Sequence, residues 1–521
     1  MTIREQIKEI ISKIVGNENF TVEVPENKQY GDYATNVALI LAKKQGRNPN
    51  EVADEIKSKI QNNMFGKVEI ANGFINFYLK PEFLQKKIKE IIKQGKKFGK
   101  VDIGKKQKVQ VEFISANPTG ELTLGNGRGG FTGDVLGNIL SKAGYKVEKE
   151  YYINDAKNSK QIQEFGKTAL GKGQTYLNDY LKKKIEAAKS KLNKIKDDGE
   201  AGYNLGKEVM KDIKDFIRNK LKIKFDRWVS EEDDLYKKKR VGKIYKLLKK
   251  KKLVYGKEGA QWLKTSEYGD DKDWVIVRET GEPTYFLSDI AYHQNKFLDR
   301  KFYKVIDIWG ADHYGYVARM KAAVKILGID PDRLDIIIMQ LVRLVENGKE
   351  VRMSKRTGQF VTLKELVDEV GLDAARFFFL MHSADRHMDF DLDLAKEKSE
   401  KNPVYYVQYA YARINSILRK AKSHFSFEKL DLLNHPSEKD LIKSLIKLPE
   451  IIEDTAKDYQ VQRLPNYAIE LATAFHKFYT DCRILGEEKD LEKARLALLM
   501  ATKFVLENIL NLMGISRPER M

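Results

Sequence analysis

The stretch VQVEFISANPTGELTLGNGRGG, residues 109–130, decides how this chain is read. VQVEFIS is short, apolar and rich in β-branched and aromatic residues, which predicts a buried strand. ANPTGELTLGNGRGG follows, with one proline and glycines at 120, 125, 127, 129 and 130. Beyond it Val135, Leu136, Ile139 and Leu140 recur at helical spacing, and Gly144 supplies a stop. Strand, glycine-rich turn and helix together aim backbone N–H groups and a helix N-terminus at a phosphate. Glycine lets the backbone approach an anion without a Cβ in the way. KVEKEYYI (146–153) supplies a second strand, so the unit is βαβ, parallel and right-handed.

Downstream, residues 160–275 turn to lysine-laden amphipathic helices that interrupt the sheet pattern and read as an insertion. KKKRVGKIYKLLKKKKLVY (237–255) is its most basic segment, and a solvated helix face is favoured there over a specific nucleic-acid contact. The sheet pattern resumes at YKVIDIWGADH (303–313), a buried strand ending in Gly310, Ala311, Asp312 and His313. LDIIIMQLVRL (334–344) is a further apolar run and leads into the basic, turn-rich VENGKEVRMSKRTG. Such alternation argues for an open, doubly wound, mostly parallel sheet of Rossmann type, with ligands at the strand C-terminal ends. From 396 to 521 only helical spacing appears, as in Val404, Val407, Tyr411, Ile414 and Leu418, which predicts a bundle. Upstream, Thr2 and Glu5 form a capping-box pattern, and KVEIANGFINFYL (67–79) reads as a hairpin turning at Asn72-Gly73. The expected organisation is a small α+β domain over 1–100, a solvated basic linker over 93–108, an α/β domain over 105–395 with a helical insertion at 160–275, and an all-α domain over 396–521.

The chain has 521 residues and a net charge of +20, with pI near 9.4, so a polyanionic partner is expected. Cys482 is its one cysteine, which excludes a disulfide framework and a cysteine-based zinc site. The opening MTIREQIKEI carries no signal-type apolar core, and no run of 18 apolar residues occurs. A cytoplasmic setting without membrane or DNA contact follows as the expectation. Arg352, Met353, Ser354, Lys355 and Arg356 place three cations in five residues between Gly348 and Gly358. That loop is suited to closing over a triphosphate, because lysine is a mobile point charge that can follow charge developing at phosphorus.

SANPTGELTLGNGR (115–128) and RMSKR (352–356) resemble the two signatures of class I aminoacyl-tRNA synthetases. EPTYFLSDIAYH (282–293), WGADHYGY (309–316), DAARFFFL (373–380) and MGISRPERM at the end resemble the arginyl-tRNA synthetases specifically. YGDYATNVALILAK (30–43) and GFINFYL (73–79) are similar to that family's N-terminal domain, so the likeness covers essentially the whole chain. It implies a ligase that activates L-arginine with ATP, accompanied by Mg²⁺ but no protein-held metal, and passes arginine to tRNA-Arg as a monomer. The N-terminal domain would touch the tRNA elbow and the bundle would read the anticodon. By the same resemblance Lys355 stabilises the pyrophosphate-side charge, with Arg352, Met353, Ser354 and Arg356 shaping the loop. Gly125, Asn126, Gly310, Asp312 and His313 lie near ATP. Glu112 and Asp289 take the guanidinium, Tyr285 packs along the side chain, Asn117 holds the α-amino group, and Ser115 joins that site. A carboxylate can accept a planar fork of donors bidentately, and lysine is rejected by about 10⁴–10⁵ because buried acceptors are left unpaired.

One departure stands out. Thr123 and Asn126 occupy the places of the first signature's two histidines. They can donate hydrogen bonds to phosphate but carry no charge. A lost charge-assisted bond costs about 1.5–3 kcal/mol, or roughly 10–100-fold in rate at each position. A second reading is therefore a catalytically degenerate synthetase-like protein that only binds tRNA. A nucleotidyltransferase acting on another acid is a third, and it needs neither the bundle nor the first hundred residues.

Overall fold

The computed structural model describes residues 1–351 and 362–521. Its centre is a five-stranded sheet in the order Leu334–Met339, Lys304–Gly310, Lys108–Glu112, Lys146–Ile153, Arg227–Ser230, and every pairing is parallel. Val109, Gln110 and Val111 on the central strand are all buried, as expected when helices cover both faces. The chain winds outward through 146–153 and 227–230, then returns to the other side of 108–112. The strand order therefore reverses between 108–112 and 304–310, and the crevice at such a reversal is where open α/β sheets bind ligands. The helix Leu124–Lys142 leaves the central strand and is buried along most of its length.

Register has a chemical consequence. Asp307 pairs with Glu112 and Glu112 with Glu150, so three carboxylates stand abreast on neighbouring strands. The element covering them is the helix Tyr285–Gln294 and the π-helical turn Asn295–Asp299 that continues it.

In the N-terminal part, four strands order as 22–23, 33–35, 74–79 and 65–71. Asn72 and Gly73 both take positive φ, 52° and 79°, as a two-residue hairpin turn requires. Thr2 and Glu5 close the capping box at the first helix, Ile3–Val15. The basic stretch 93–108 differs from expectation, because it is docked rather than solvated. Phe98 and Val101 are buried, the Gly95 carbonyl accepts from Asn508 Nδ2 (3.0 Å), and Lys96 accepts from Lys142 Nζ (2.8 Å). Phe98, Val101 and Ile103 pack on the core, and backbone hydrogen bonds from Val101 and Gly104 to Lys142 and Ala143 (3.2 and 3.0 Å) hold this lysine-rich segment against its neighbours.

The inserted stretch holds the helices Lys160–Ala169, Asp179–Leu192, Asp198–Asp215 and Arg240–Lys250. It also holds strands. Arg227–Ser230 is an edge of the main sheet, and Val254–Lys257, Ala260–Leu263 and Trp274–Val277 form a separate antiparallel sheet. These are four-residue strands among lysines, too short for periodicity to reveal. LDIIIMQLVRL likewise splits between two sheets, since Val342–Glu346 pairs with Met388–Asp391 instead. Helices from Pro403–Lys420 to Lys489–Met513 make the bundle. Its last helix is long and apolar enough to cross a membrane, but most of it is buried inside the bundle.

Candidate active site

Immediately beyond the central strand the backbone is strained. Ile114 and Ser115 have φ of 67° and 39°, and the Ser115 N–H donates to the Phe113 carbonyl (2.9 Å). A β-branched residue at positive φ is a genuine outlier, and such strain persists only where surroundings over-determine it. Here they do. Ser115 Oγ donates to Glu112 (3.0 Å) and accepts from the Tyr152 N–H (3.1 Å), and the Ser115 carbonyl accepts from Asn154 (3.2 Å). Ser115 thus braces Glu112, while the Asn117 side chain is exposed on the following loop.

Glu112 sits on a buried charge cluster. Lys296 Nζ donates to Glu112 Oε2 (2.7 Å) and to Asp307 Oδ1 (2.9 Å). Asp307 Oδ2 pairs with His293 Nε2 (2.9 Å), and His293 Nδ1 meets the Asp289 carbonyl (2.8 Å). Arg300 and the Tyr292 hydroxyl hold Glu150. Burial raises the Glu112 carboxyl although Lys296 opposes this, whereas Asp307 is held low by Lys296 and His293 against its own burial. Asp289 accepts from the Tyr316 hydroxyl (2.6 Å), and burial raises it too. Glu231 and Asp155 add further buried carboxyls, pushed up to about 8 and about 6, mainly by loss of water. The Tyr152 hydroxyl is buried with no partner among the described residues. Its phenol is pushed well up by burial and by Glu231, Asp289 and Glu112 around it. A buried donor with several acceptors nearby and nothing bonded to it marks a place for a polar ligand. The net character is acidic, which suits a cation with several N–H groups.

Tyr285 is 61 % exposed at the mouth, its ring 5.5 Å from that of Tyr316. Arg319 stacks on Trp274 of the inserted sheet and donates to the Tyr285 hydroxyl (3.3 Å), so the insertion helps aim Tyr285. Gly310, Asp312 and His313 lie at the end of strand 304–310, with Asp312 and His313 exposed beside the crevice.

Thr123 and Asn126 differ from expectation. They spend their polar atoms on one another as the N-cap of helix Leu124–Lys142. The Thr123 N–H and Oγ1 both donate to Asn126 Oδ1 (2.9 Å each), and the Asn126 N–H donates to Thr123 Oγ1 (3.4 Å). That leaves the Asn126 Nδ2 hydrogens, and not the Thr123 hydroxyl, for a phosphate. Thr123 also bridges to Thr362, whose own capping box with Glu365 starts the helix Leu363–Val370. Two helix N-termini therefore lie side by side. Arg352, Met353, Ser354, Lys355 and Arg356 lie outside the described residues; Thr362, one residue beyond the undescribed stretch 352–361, is the residue paired with the turn. Fully buried Arg128 donates to the carbonyls of Gln340 (2.7 Å), Ser383 (2.8 Å) and Arg386 (2.8 Å), tying that helix to the strand ends.

Residues 1–79 match the arginyl tRNA synthetase N-terminal domain, 87–391 the class I (R) tRNA synthetase catalytic domain, and 407–521 the DALR anticodon binding domain. The chain belongs to the arginyl-tRNA synthetase family. It is 46 % identical to the arginine–tRNA ligase of Carboxydothermus hydrogenoformans, covering 96 % of this chain and 94 % of that one. It is 44 % identical to that of Caldanaerobacter subterraneus over 99 % of both. The Thermus thermophilus arginyl-tRNA synthetase structure shares its fold, with a TM-score of 0.79 at 22 % identity over the whole of both chains.

Within this synthetase, Glu112, Ser115 and Asp289 stand about one buried charge cluster, and Tyr285 is exposed beside it. Lys296, Asp307, Glu231 and Tyr152 were missed. The available signal was a charged residue inside an apolar run, as Asp307 is in KVIDIWG. Lys296, seven residues after Asp289, lies on the same helical face.

Proposed function

We propose that this chain is an arginine–tRNA ligase, working as a single chain in the cytoplasm. The observation that carries the reading is the acidic cluster at the strand reversal, with buried Glu112, half-buried Asp289 and the unpartnered Tyr152 hydroxyl. It supplies acceptors for a planar cation, and Tyr285 at its mouth packs along the aliphatic stem. Ser115 braces Glu112, and Asn117 takes the α-amino group. ATP, entering with its own Mg²⁺, lies between the Gly125–Asn126 turn and Gly310, Asp312 and His313. The arginine carboxylate attacks the α-phosphorus, pyrophosphate leaves, and Lys355 offsets the charge that develops on it. The terminal ribose hydroxyl of tRNA-Arg then attacks the activated carbonyl, and AMP leaves.

Residues 1–100 contact the tRNA elbow, 105–395 hold the chemistry, and 396–521 read the anticodon. Support for the last comes from a cleft of about 900 Å³ in the bundle, lined by Tyr409, Arg413, Arg419, Lys420, Tyr479 and Arg483. The Arg413 guanidinium lies 5.0 Å from the Tyr409 ring and 4.7 Å from that of Tyr479. Aromatic faces interleaved with cations suit single-stranded bases. The test is charging of tRNA-Arg with labelled arginine, beside Lys355→Ala and with excess lysine. Charging that depends on Lys355 and ignores lysine is expected. Tight tRNA binding without charging would make the protein a tRNA-binding relative of the enzyme.

A further inference from the structure

Three carboxylates abreast in a sheet need cations, and their partners are not equivalent. Glu150 has Arg300 and the Tyr292 hydroxyl. Asp307 has His293 and Lys296, and Glu112 has Ser115 and Lys296. The Lys296 side chain is 0 % exposed, whereas that of Glu112 is 9 % exposed. Lys296 therefore reaches Glu112 from the enclosed side, and the little surface Glu112 leaves open faces away from it. Its ammonium bonds to two carboxylates and lies 4.2 Å from the Tyr292 ring centroid, so its directions are used within the protein. A carboxylate has about four acceptor positions. Two on Glu112 are taken, one on each oxygen, and the others remain for the open side.

We propose that Lys296 is a positioning residue for amino-acid selection, a resident ammonium that holds Glu112 toward the pocket and denies the same carboxylate to a lysine substrate. The inference rests on the reading of Glu112 as a guanidinium acceptor. A guanidinium reaches the remaining acceptors with two parallel N–H groups and spreads its charge over a plane. A lysine ammonium is shorter in reach and brings a second point charge to a carboxylate already carrying one, in a site where water screens little. Selection then includes a repulsive element against the competitor as well as a fit to the substrate.

The test compares full-length wild type, Lys296→Met and the charge-balanced pair Lys296→Met/Asp307→Asn, which guards against misfolding of the single variant. Amino-acid-dependent ATP–pyrophosphate exchange is measured with tRNA-Arg present, using arginine or lysine. The KM for arginine is expected to rise about tenfold or more with the KM for ATP within about twofold, and the arginine-over-lysine ratio of kcat/KM to fall about 100-fold. Ethylammonium added to Lys296→Ala should recover part of the arginine affinity. Folded variants that keep the wild-type arginine KM and reject lysine as before would show that Lys296 only neutralises the sheet, and would overturn the proposal. Glu112→Gln is the control. If it leaves the arginine KM unchanged, the reading of the pocket fails and the inference with it; if it raises that KM while the Lys296 variants do not, the inference alone fails.

Discussion

Glu231 keeps its proton in the folded protein at neutral pH, because loss of water, with Asp289 and Asp155 nearby, pushes its carboxyl from 4.5 to about 8. Below about pH 4.5 both folded and unfolded chains hold that proton, and the stabilising contribution is full. Between 4.5 and 8 only the folded chain retains it, so stability falls as pH rises, by at most ~1.4 kcal/mol per pH unit. Glu231→Gln has no such slope. Its melting temperature relative to wild type should climb from pH 5 to pH 8.5, and a constant difference over that range would mean Glu231 is ionised throughout. Thr123 and Asn126 pose a different trade at this scale. Removing the cap by Thr123→Ala should cost about 1 kcal/mol in denaturant unfolding. Asn126→His gives up the side-chain half of the capping box, the bonds to Asn126 Oδ1, for a group able to carry charge, so it should melt earlier and exchange pyrophosphate faster. An unchanged exchange rate would argue that charge there is unimportant in this chain.

The glycine-rich helix shows which of its glycines serve packing and which face open space. A Cβ at Gly127 would overlap the Leu363 side chain, and one at Gly133 would overlap Phe113. At Gly125 a Cβ would meet nothing closer than Thr123 Oγ1 at 3.8 Å. Reading all of these glycines as room for an anion was therefore too broad; Gly125 has that space, while Gly127 lets two helices approach. Gly127→Ala should destabilise by about 1–3 kcal/mol, since Leu363 and the helix it begins must shift. Gly125→Ala should unfold within about 0.5 kcal/mol of wild type and raise the KM for ATP. Equal behaviour of the two variants in both assays would contradict the distinction. The Thr2–Glu5 capping box and the Asn72-Gly73 turn were legible because each is completed within four residues.

Across the whole molecule, the N-terminal domain meets the bundle through the apolar face of helix Pro81–Gln94, with Leu84, Ile88 and Ile91 buried, and through a small set of charged contacts. The Arg4 N–H and the Tyr33 hydroxyl both donate to buried Glu450 (2.9 and 3.1 Å), and Arg4 pairs with Asp454 (2.5 Å). Lys443 meets Asp32 at 2.7 Å. Glu450→Ala strips Arg4 and Tyr33 of a shared buried acceptor and should cost about 3 kcal/mol in thermal or denaturant unfolding. A loss under 1 kcal/mol would show that these domains are held by apolar packing alone. The +20 charge acts at the same scale, and tRNA affinity should fall steeply and log-linearly with salt. Flat affinity from low to moderate ionic strength would rule out an extended phosphate footprint.

The amino-acid sequence by itself determined the strand–turn–helix at 108–142, the hairpin at 65–79, the helical bundle and the family. Those features rest on side-chain period and on bonds between residues three or four apart, which neighbours in sequence specify. Tertiary structure decided the rest of the site. The row Asp307, Glu112, Glu150 exists only because strands some 200 and 40 residues apart in the chain pair in one register. Register then buries three like charges, and that burial is what gives Lys296, His293 and Arg300 their partners. It likewise took the assembled fold to recruit Arg227–Ser230 as a sheet edge and to dock the basic stretch at 93–108. Compensation of buried charge is settled by what packs against it, and no local pattern encodes that.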